Sequence, residues 1–370
     1  MKKYDFLIVG SGIFGSTCAY ELHKRGFSVL VLEKRNHIGG NVFTKNIDEI
    51  NVHMYGPHIF HTDKKEVWDY ICKFAKFNDF INTPIANYHG EKYHLPFNMN
   101  TFVELWKDVK TPEDAKKRIA EEQSKFNIEE PRNLEEQALK LVGYTIFKKL
   151  IKEYTEKQWG KDCKELPPFI IKRLPLRFTF DNNYFNDPYQ GIPCGGYTNI
   201  IEKMLKGIDV VLNVDYLKQK NKYSSLAKTI IYTGPIDEYY NYEFGHLEYR
   251  SLKFEIERLN IPSFQGNAVV NYTSHDQKYT RIIEHKFFEF GNLPNTVISK
   301  EYPCKFEPGL IPYYTVNDEK NEKLYSRYKE KSLNEKNIIF CGRLGSYKYY
   351  DMDDAIFEAL KMCRRLIGEH

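Results

Sequence analysis

The sequence lacks the long apolar run, roughly 20 residues, that a membrane-spanning helix requires. Its first apolar stretch is short and ends in glycine, so we expect no signal peptide. The seven cysteines are scattered and include no C-x-x-C pair, which argues against a disulfide framework or a zinc site. We therefore expect a cytoplasmic protein with free thiols and no membrane partner.

The chain also lacks a large excess of charge of one sign, since its formal net charge is only +4. Domains that bind nucleic acids usually concentrate basic residues on one face, so we expect no nucleic-acid partner. Apolar residues make up 42% of the chain and charged residues 28%, which is typical of a globular protein. The 370 residues are enough for two or three domains with sizeable cores.

Aromatic residues, in contrast, are abundant, with 28 Tyr and 25 Phe. A tyrosine combines an apolar ring with a polar tip, so an excess can line a wet site that binds rings and phosphates. Ordinary core packing explains the same count. Only the positions of these residues decide between the two.

A βαβ unit typical of dinucleotide binding opens the chain. Residues 4–9 predict a buried strand, and the motif G-S-G-I-F-G follows from Gly10 to Gly15. The first glycine allows a tight turn, Gly12 lets the backbone approach a pyrophosphate, and Gly15 lets helix and strand pack closely. After a helix and a second strand comes Glu33, 18 residues beyond Gly15, where an acid takes ribose hydroxyls. The unit therefore predicts a dinucleotide whose phosphates face the start of the helix.

The residues after Glu33 favour FAD over NAD. Basic residues and a Gly-Gly turn follow the acid, which resembles the extended motif of FAD enzymes of the glutathione-reductase type. Near the C-terminus a predicted strand (337–341) leads into Gly342 and Arg343, and a helix begins at about Asp351. In that superfamily such a late unit returns to the cofactor. Gly234, after a third apolar strand, makes a turn of the same sort.

The middle of the chain changes its periodicity twice. From about residue 100 to 158 the spacing of apolar residues is helical, and from about residue 248 it alternates, as in half-buried antiparallel strands. Strands are predicted over 266–273, 280–288 and 296–302. We therefore predict a mixed α/β fold with a discontinuous Rossmann-like FAD-binding domain, a small helical domain and an antiparallel β-sheet domain. The FAD-binding domain is predicted over 1–80, 200–245 and 336–370. The helical domain is predicted over 97–175, with a mobile lid near its end. The β-sheet domain is predicted over 81–96, 176–199 and 246–335.

Several segments combine aromatic residues with arginine or histidine. Tyr55 to Thr62 read Y-G-P-H-I-F-H-T, and the two histidines lack the further ligands that a metal would need, so no metal site is predicted. A structural hydrogen bond explains His58 as well as a functional role does. Elsewhere the same residue types suit a ligand with a base and phosphates, because aromatic rings stack and arginines fork onto phosphate oxygens. The alternative is that the aromatic residues are core and the arginines surface charges.

Four of these strings together resemble the prokaryotic UDP-galactopyranose mutases, nearly from end to end. They are G-S-G-I-F-G from Gly10, Y-G-P-H-I-F-H-T from Tyr55, Y-T-E-K-Q-W-G from Tyr154 and G-R-L-G-S-Y-K-Y-Y-D-M-D from Gly342. The resemblance implies an FAD isomerase, a homodimer, that serves surface-polysaccharide biosynthesis. It further implies the redox-neutral interconversion of UDP-galactopyranose and UDP-galactofuranose through a sugar adduct on N5 of reduced FAD, with an external electron donor such as NAD(P)H.

The resemblance also implies roles for individual residues. Arg173 on the mobile lid and Arg281 would clamp the pyrophosphate, while His61 and Arg343 would lie beside the flavin; these four form the predicted catalytic set. The predicted substrate-binding residues are Asn82, Tyr154, Thr155, Trp159, Arg173, Tyr184, Phe185, Asn271, Arg281, Tyr314 and Tyr349, with Tyr184 on the uracil and the tyrosines at 154, 314 and 349 on the phosphates. The predicted cofactor-binding residues are Gly10, Gly12, Ile13, Phe14, Gly15, Glu33, Lys34, Arg35, Gly40, Asn41, His58, Ile59, Gly234, Gly342, Arg343, Asp351 and Met352. Asp351 also matches a substrate-pocket position.

Two alternatives stay open at this stage. An FAD-dependent oxidoreductase would share the cofactor motifs, and the residues alone do not separate it from an isomerase. Action on UDP-N-acetylgalactosamine as well is compatible with the same motifs.

Overall fold

The computed structural model describes residues 3–171 and 175–368. The chain forms two compact units, one from Met1–Asp79, Asp187–Arg250 and Phe306–His370, and the other from Phe80–Asn186 and Ser251–Lys305. The three-domain division made above from the sequence stays a prediction.

The strands, in chain order, are β1 (Tyr4–Val9), β2 (Val29–Leu32), β3 (Thr44–Ile47), β4 (Ile50–His53), β5 (Phe60–Thr62), β6 (Ile85–Tyr88), β7 (Glu91–His94), β8 (Tyr189–Gly191), β9 (Asp209–Val211), β10 (Ala227–Tyr232), β11 (Tyr249–Leu259), β12 (Val269–Tyr272), β13 (Arg281–Glu284), β14 (Thr296–Lys305), β15 (Tyr314–Thr315) and β16 (Ile338–Phe340).

The α-helices are α1 (Ile13–Lys24), α2 (Lys65–Ile71), α3 (Met99–Leu105), α4 (Pro112–Ser124), α5 (Leu134–Ile146), α6 (Glu153–Trp159), α7 (Tyr197–Leu205), α8 (Lys220–Ser224), α9 (Ile236–Tyr239), α10 (Glu319–Ser332), α11 (Gly342–Gly345) and α12 (Met352–Leu366). A π-helical segment covers Phe147–Lys152. Short 3-10 segments cover Gly40–Val42, Cys163–Glu165, Pro168–Ile171, Leu217–Gln219 and His285–Glu289.

A five-stranded parallel sheet in the order β16-β10-β1-β2-β9 forms the centre of the first unit. Alternate residues of β1 enter two different cores: Ile8 packs with α1, α7 and α12, and Leu7 with the tyrosine-rich opposite side. Both side chains are fully buried, as expected for a parallel sheet covered on both faces. This confirms the predicted Rossmann-like α/β domain built from the beginning, middle and end of the chain.

The second unit combines a sheet with the helices α3 to α6. The sheet order is β11-β14-β13-β12-β6-β7, and its pairings are antiparallel at β14–β13–β12 and β6–β7 and parallel at β12–β6. At the start of α4, Thr111 and Asp114 form a reciprocal capping box, with Pro112 at the first helical position. Phe102, Leu134 and other apolar side chains of these helices form a core of their own.

The strand predicted over residues 280–288 is wrong in its second half. The strand ends at Glu284, and His285–Glu289 form a 3-10 segment. His285 and Phe288 are both buried, and residues three apart lie on the same side of a 3-10 helix. The apolar spacing here therefore reflects a tight turn into β14 and not an extended chain.

Within residues 3–171 and 175–368, no helix combines the length and the apolar character needed to cross a membrane. All seven cysteines are free thiols.

Candidate active site in two parts

The loop between β1 and α1 is shaped by contacts that only glycine permits. A Cβ on Gly15 would lie 2.0 Å from the carbonyl oxygen of Gly10, so helix and loop could not approach as they do. Gly10 itself has φ of +105°, which favours glycine. A Cβ on Gly12, in contrast, would meet nothing within 4 Å. Gly12 therefore borders open space at the N-cap of α1, where the free N–H groups of a helix attract an anion.

Glu33 follows β2 and is held rigidly beside this loop. Its carboxylate is buried, with Oε2 accepting hydrogen bonds from the backbone N (3.0 Å) and the hydroxyl (2.7 Å) of Ser11. The other oxygen, Oε1, accepts from the backbone N of Arg35 at 3.0 Å. Each carboxylate oxygen can accept more than one hydrogen bond, so the group can also receive ribose hydroxyls.

Arg35 places a cation next to the same loop. Its guanidinium lies over the ring of Tyr55, 4.5 Å from the centroid, and donates to Oδ1 of Asn41 at 2.9 Å. Its Nη1 is buried and has no hydrogen-bond partner within the described part of the chain. A buried donor left unsatisfied is costly, so this nitrogen suits an anionic ligand. Lys34, in contrast, is exposed.

A second glycine pair packs against the first loop. The backbone N of Gly39 donates to the carbonyl of Ser11 at 3.1 Å, and a Cβ on Gly40 would lie 2.9 Å from Cα of Gly12. Ile13 and Phe14 begin α1 with buried side chains, so they can serve a ligand only through their backbone. Together, these glycines, Glu33 and Arg35 fit a dinucleotide, with its pyrophosphate at the glycine loop and a ribose at Glu33.

The C-terminal motif contributes a cation, Arg343, and one ring of a stacked aromatic pair, Tyr349. Gly342, with φ of +70°, starts α11, and Nη2 of Arg343 donates to the carbonyl of Pro312 at 3.4 Å. Burial lowers the pKa of the Arg343 guanidinium, an effect that the neighbouring tyrosines oppose. Tyr314 and Tyr349 stack with their centroids 5.8 Å apart, and Tyr349 is 54% exposed. Gly234 lies two residues beyond β10, and Asp351 and Met352 begin α12.

The two histidines of the Y-G-P-H-I-F-H-T motif have different surroundings. His58 forms local hydrogen bonds, through Nδ1 to the carbonyl of Gly56 (2.8 Å) and from its backbone N to His53 (3.1 Å). The neighbouring Ile59 is buried. His61 contacts the carboxylate of Asp187 at 2.5 Å, a residue that sequence reasoning did not select. No cluster of metal-ligand residues occurs among the residues that the structure describes.

In the second unit, three polar residues lie in a row across the sheet. Register places Asn271 opposite Arg281 and Arg281 opposite Glu301. Nε of Arg281 donates to Oε1 of Glu301 at 2.9 Å, and Glu301 is only 2% exposed. Tyr154 lies close enough to this pair to interact with both charges, and burial raises the pKa of its phenol while Arg281 lowers it. Sequence reasoning missed Glu301, because it follows a lysine in a strand of mixed composition and its partner is set by strand pairing.

The predicted base-stacking residues lie on one loop of the same unit. Tyr184 is 45% exposed, and its ring meets that of Phe185 edge-on at 5.4 Å. The backbone N of Tyr184 donates to the carbonyl of Asn82 at 2.8 Å, and Arg177 donates to the carbonyl of Tyr184 at 3.2 Å. These bonds hold the loop while leaving a ring face available for stacking. Thr155 is buried, and Trp159 packs against the helical core.

The predicted site residues thus form one group in each unit. The cofactor group and the pair Tyr314 and Tyr349 belong to the first unit, and the other described substrate residues belong to the second. Arg173, the predicted lid arginine, lies outside the described residues.

The fold and the glycine loop define a protein of the Rossmann-like dinucleotide-binding class. A family model described as an NAD(P)-binding Rossmann-like domain matches residues 8–74. The model of the UDP-galactopyranose mutase family matches residues 149–349. The chain belongs to the UDP-galactopyranose mutase family, which confirms the resemblance seen in the motifs.

Full-length relatives agree with this assignment. A Klebsiella pneumoniae protein named "Probable UDP-galactopyranose mutase" is 39% identical over 367 residues, which span 98% of this chain and 94% of the relative. A dTDP-fucopyranose mutase of Escherichia coli is 38% identical over 368 residues, or 97% of each chain. The crystal structure of a reduced UDP-galactopyranose mutase matches with a TM-score of 0.73 over 99% of this chain and 96% of its own, at 14% identity, and so shows the shared fold.

Proposed function

We propose that this protein is an isomerase that interconverts UDP-galactopyranose and UDP-galactofuranose without net redox change, using reduced FAD. Full-length similarity to proteins named UDP-galactopyranose mutase supports the reaction. The observation that carries the proposal is the row of Asn271, Arg281 and Glu301, because a buried carboxylate aims the guanidinium through Nε. The two Nη groups then form a fork suited to a diphosphate.

The dinucleotide of the proposal is FAD, and the residues of the first unit support dinucleotide binding there. Open space at Gly12 admits a pyrophosphate at the start of α1, Glu33 receives the ribose hydroxyls, and the buried Nη1 of Arg35 takes a further polar group. Bound in its reduced form, FAD supplies a nucleophilic N5 nitrogen that can attack an anomeric carbon. Arg343 adds positive charge beside the stacked pair of Tyr314 and Tyr349.

The residues of this chain stabilise the departing diphosphate and hold the nucleotide. Arg281 and Arg173 carry fixed positive charge for the phosphate oxygens. The phenol of Tyr154, in the same unit as Arg281, donates a hydrogen bond to the same oxygens and helps to keep the UDP close for its return to the sugar. The exposed ring of Tyr184 offers the uracil a stacking surface.

A second candidate substrate is dTDP-fucopyranose. The 38% identity over 97% of each chain to an enzyme of that name favours it almost as strongly as the first. The two nucleotide sugars differ in the base, the ribose and C6 of the hexose, whereas the diphosphate that Arg281 suits is common to both.

Three further properties complete the proposal. The FAD is reduced by an external electron donor such as NAD(P)H, because a mutase needs only a catalytic charge of reductant. The protein acts in the cytoplasm as a homodimer. The electron donor and the dimer rest on the family resemblance, and the cytoplasmic location rests on the scattered free thiols. Gel filtration with light scattering tests the dimer directly.

The test is chromatography of the purified protein incubated with UDP-galactofuranose, with and without dithionite. We expect conversion to UDP-galactopyranose that depends on reduction and consumes no stoichiometric reductant. Stoichiometric consumption would instead indicate an oxidoreductase. Parallel incubations with dTDP-fucofuranose and with the N-acetylated sugar decide which nucleotide sugar is preferred, and failure of all three would overturn the proposal.

A further inference from the structure

The carboxylate of Asp187 lies against the imidazole of His61, and strand pairing brings the two residues together. β5 pairs with β8 in antiparallel register, with His61 opposite Gln190. Asp187 precedes β8 by two residues, and its Oδ2 lies 2.5 Å from Nδ1 of His61. The two side chains are only 19% and 29% exposed, so the contact is partly shielded from water.

This contact selects one of two forms of the imidazole. A neutral histidine carries a single N–H, on either Nδ1 or Nε2, and an ionised carboxylate can only accept hydrogen bonds. Opposite Asp187, the proton must therefore reside on Nδ1. Nε2 is then the acceptor of the neutral ring. Removal of the carboxylate would remove this preference for a proton on Nδ1.

The other charged groups near His61 lie at the start of α12 and on the adjacent turn. Lys64 bonds Asp353 at 2.9 Å and Asp354 at 3.1 Å, and Thr62 also donates to Asp353 at 2.9 Å. Asp351 acts on His61 through its charge; partial burial raises the pKa of this carboxyl and His61 opposes the shift. The carboxylate of Asp187 is the charged group that is hydrogen-bonded to Nδ1 of the imidazole.

We infer that Asp187 is a positioning residue, which holds His61 as the Nδ1–H tautomer and fixes its ring for the reaction. The catalytic part of this inference rests on the proposed function and on the family resemblance, which implies that His61 lies beside the flavin. The tautomer does not rest on it. A fixed ring presents Nε2 as a preset hydrogen-bond acceptor in every turnover, as in other functional histidines whose Nδ1–H donates to a carboxylate.

Nitrogen-15 NMR of histidine-labelled, FAD-loaded protein at pH 8 tests the tautomer. The signals of His61 are assigned by their loss in His61→Gln. We expect the Nδ1–H pattern in the native protein and in Asp63→Asn, a control that removes an exposed carboxylate two residues from His61. In Asp187→Ala we expect a shift toward the Nε2–H pattern. An Nε2–H pattern in the native protein, or no change in Asp187→Ala, would overturn the inference.

Turnover separates a positioning role from a merely structural one. We expect Asp187→Ala to lower kcat by about 10- to 100-fold with little change in KM or in bound FAD, a loss in the usual range for a misaligned catalytic group. Asp187→Asn retains an acceptor oxygen and should recover much of the loss. Unchanged kcat in Asp187→Ala, despite a shifted tautomer, would overturn the positioning role. A native protein without mutase activity would overturn the proposed function instead, while the NMR result still decides the tautomer.

Discussion

Arg281 shows how much a single ionic group depends on its buried neighbour. Its guanidinium is bonded through Nε to the buried carboxylate of Glu301, which orients the planar cation. We expect Arg281→Ala to weaken UDP binding by about 10- to 100-fold, since hydrogen bonds to charged groups contribute about 1.5–3 kcal/mol, while FAD stays bound. Arg281→Lys should recover little, because an ammonium cannot form the fork. Isothermal titration with UDP measures both.

Lys300 offers a matched control for this loss of charge. It precedes Glu301 on β14, and its ammonium is bonded to Glu257. Lys300→Ala removes one positive charge from the strand next to that of Arg281 but should leave UDP affinity unchanged. Equal weakening in Lys300→Ala and Arg281→Ala would show that net charge matters and that the fork does not.

His285 makes stability depend on pH for a reason unrelated to the reaction. The ring is 1% exposed, its Nε2 lies 2.6 Å from Oγ of Ser299, and burial lowers its pKa to about 3. An unfolded histidine titrates near pH 6.5, so between about pH 6.5 and 3 the unfolded chain binds a proton that the folded chain does not. This contribution to stability is complete above pH 6.5 and is lost as the pH falls, by up to about 1.4 kcal/mol per pH unit.

Urea unfolding at pH 7.5, 6.5, 5.5 and 5.0 measures this dependence. We expect His285→Gln to reduce the slope of the unfolding free energy below pH 6.5, and the control His23→Gln, on an exposed side chain, to leave the slope as it is. An identical slope in the native protein and in His285→Gln would show that His285 is not the source of this pH dependence.

At the scale of elements, the glycine loop separates folding from binding. Gly15→Ala would place a Cβ 2.0 Å from a backbone oxygen, so we expect a loss of several kcal/mol or failure to fold. Gly12→Ala meets nothing within 4 Å and has an ordinary φ of −65°, so stability should change by less than about 1 kcal/mol. It should nevertheless lose FAD, because the methyl group would occupy the space for the pyrophosphate. Thermal unfolding and the absorbance of bound flavin give the two measurements; a Gly12→Ala protein that retains FAD would contradict the cradle.

The same elements show what the sequence could predict. The loop from Gly10 to Gly15 and its acid at Glu33 were predictable, because the spacing of a βαβ unit is local. Asp187 and Glu301 were not, since their partners lie 126 and 20 residues away and are set by strand pairing. Local spacing carries no information about which strands become neighbours.

The segment that carries Tyr154 shows a second limit. Its apolar spacing is helical, yet Gly143 adopts φ of +79° inside α5, which kinks the helix. Beyond the kink, the backbone N of Thr145 donates to the carboxylate of Glu122 at 2.7 Å. A π-helical segment then precedes α6 and shifts the residues that follow around the helix axis. The direction of Tyr154 is therefore set by a kink and a π turn, neither of which leaves a periodic signature.

At the scale of the whole molecule, the two units carry different ligand groups, and each has its own core. FAD should therefore protect backbone amides of the first unit from hydrogen exchange, near residues 10–16, 33–42 and 340–346. UDP should add protection in the second unit, near Tyr154, Tyr184 and Arg281. The ligands bind only the folded state, so each also raises the free energy of unfolding, by RT ln(1 + [L]/Kd).

Exchange measured by mass spectrometry on cofactor-stripped protein, with FAD and UDP added singly and together, resolves the two patterns. The Gly12→Ala protein is the control, since it should lose the FAD pattern and retain the UDP pattern in the second unit. Protection by FAD confined to the second unit would contradict this division of ligands, because the glycine cradle, Glu33 and Arg35 all belong to the first.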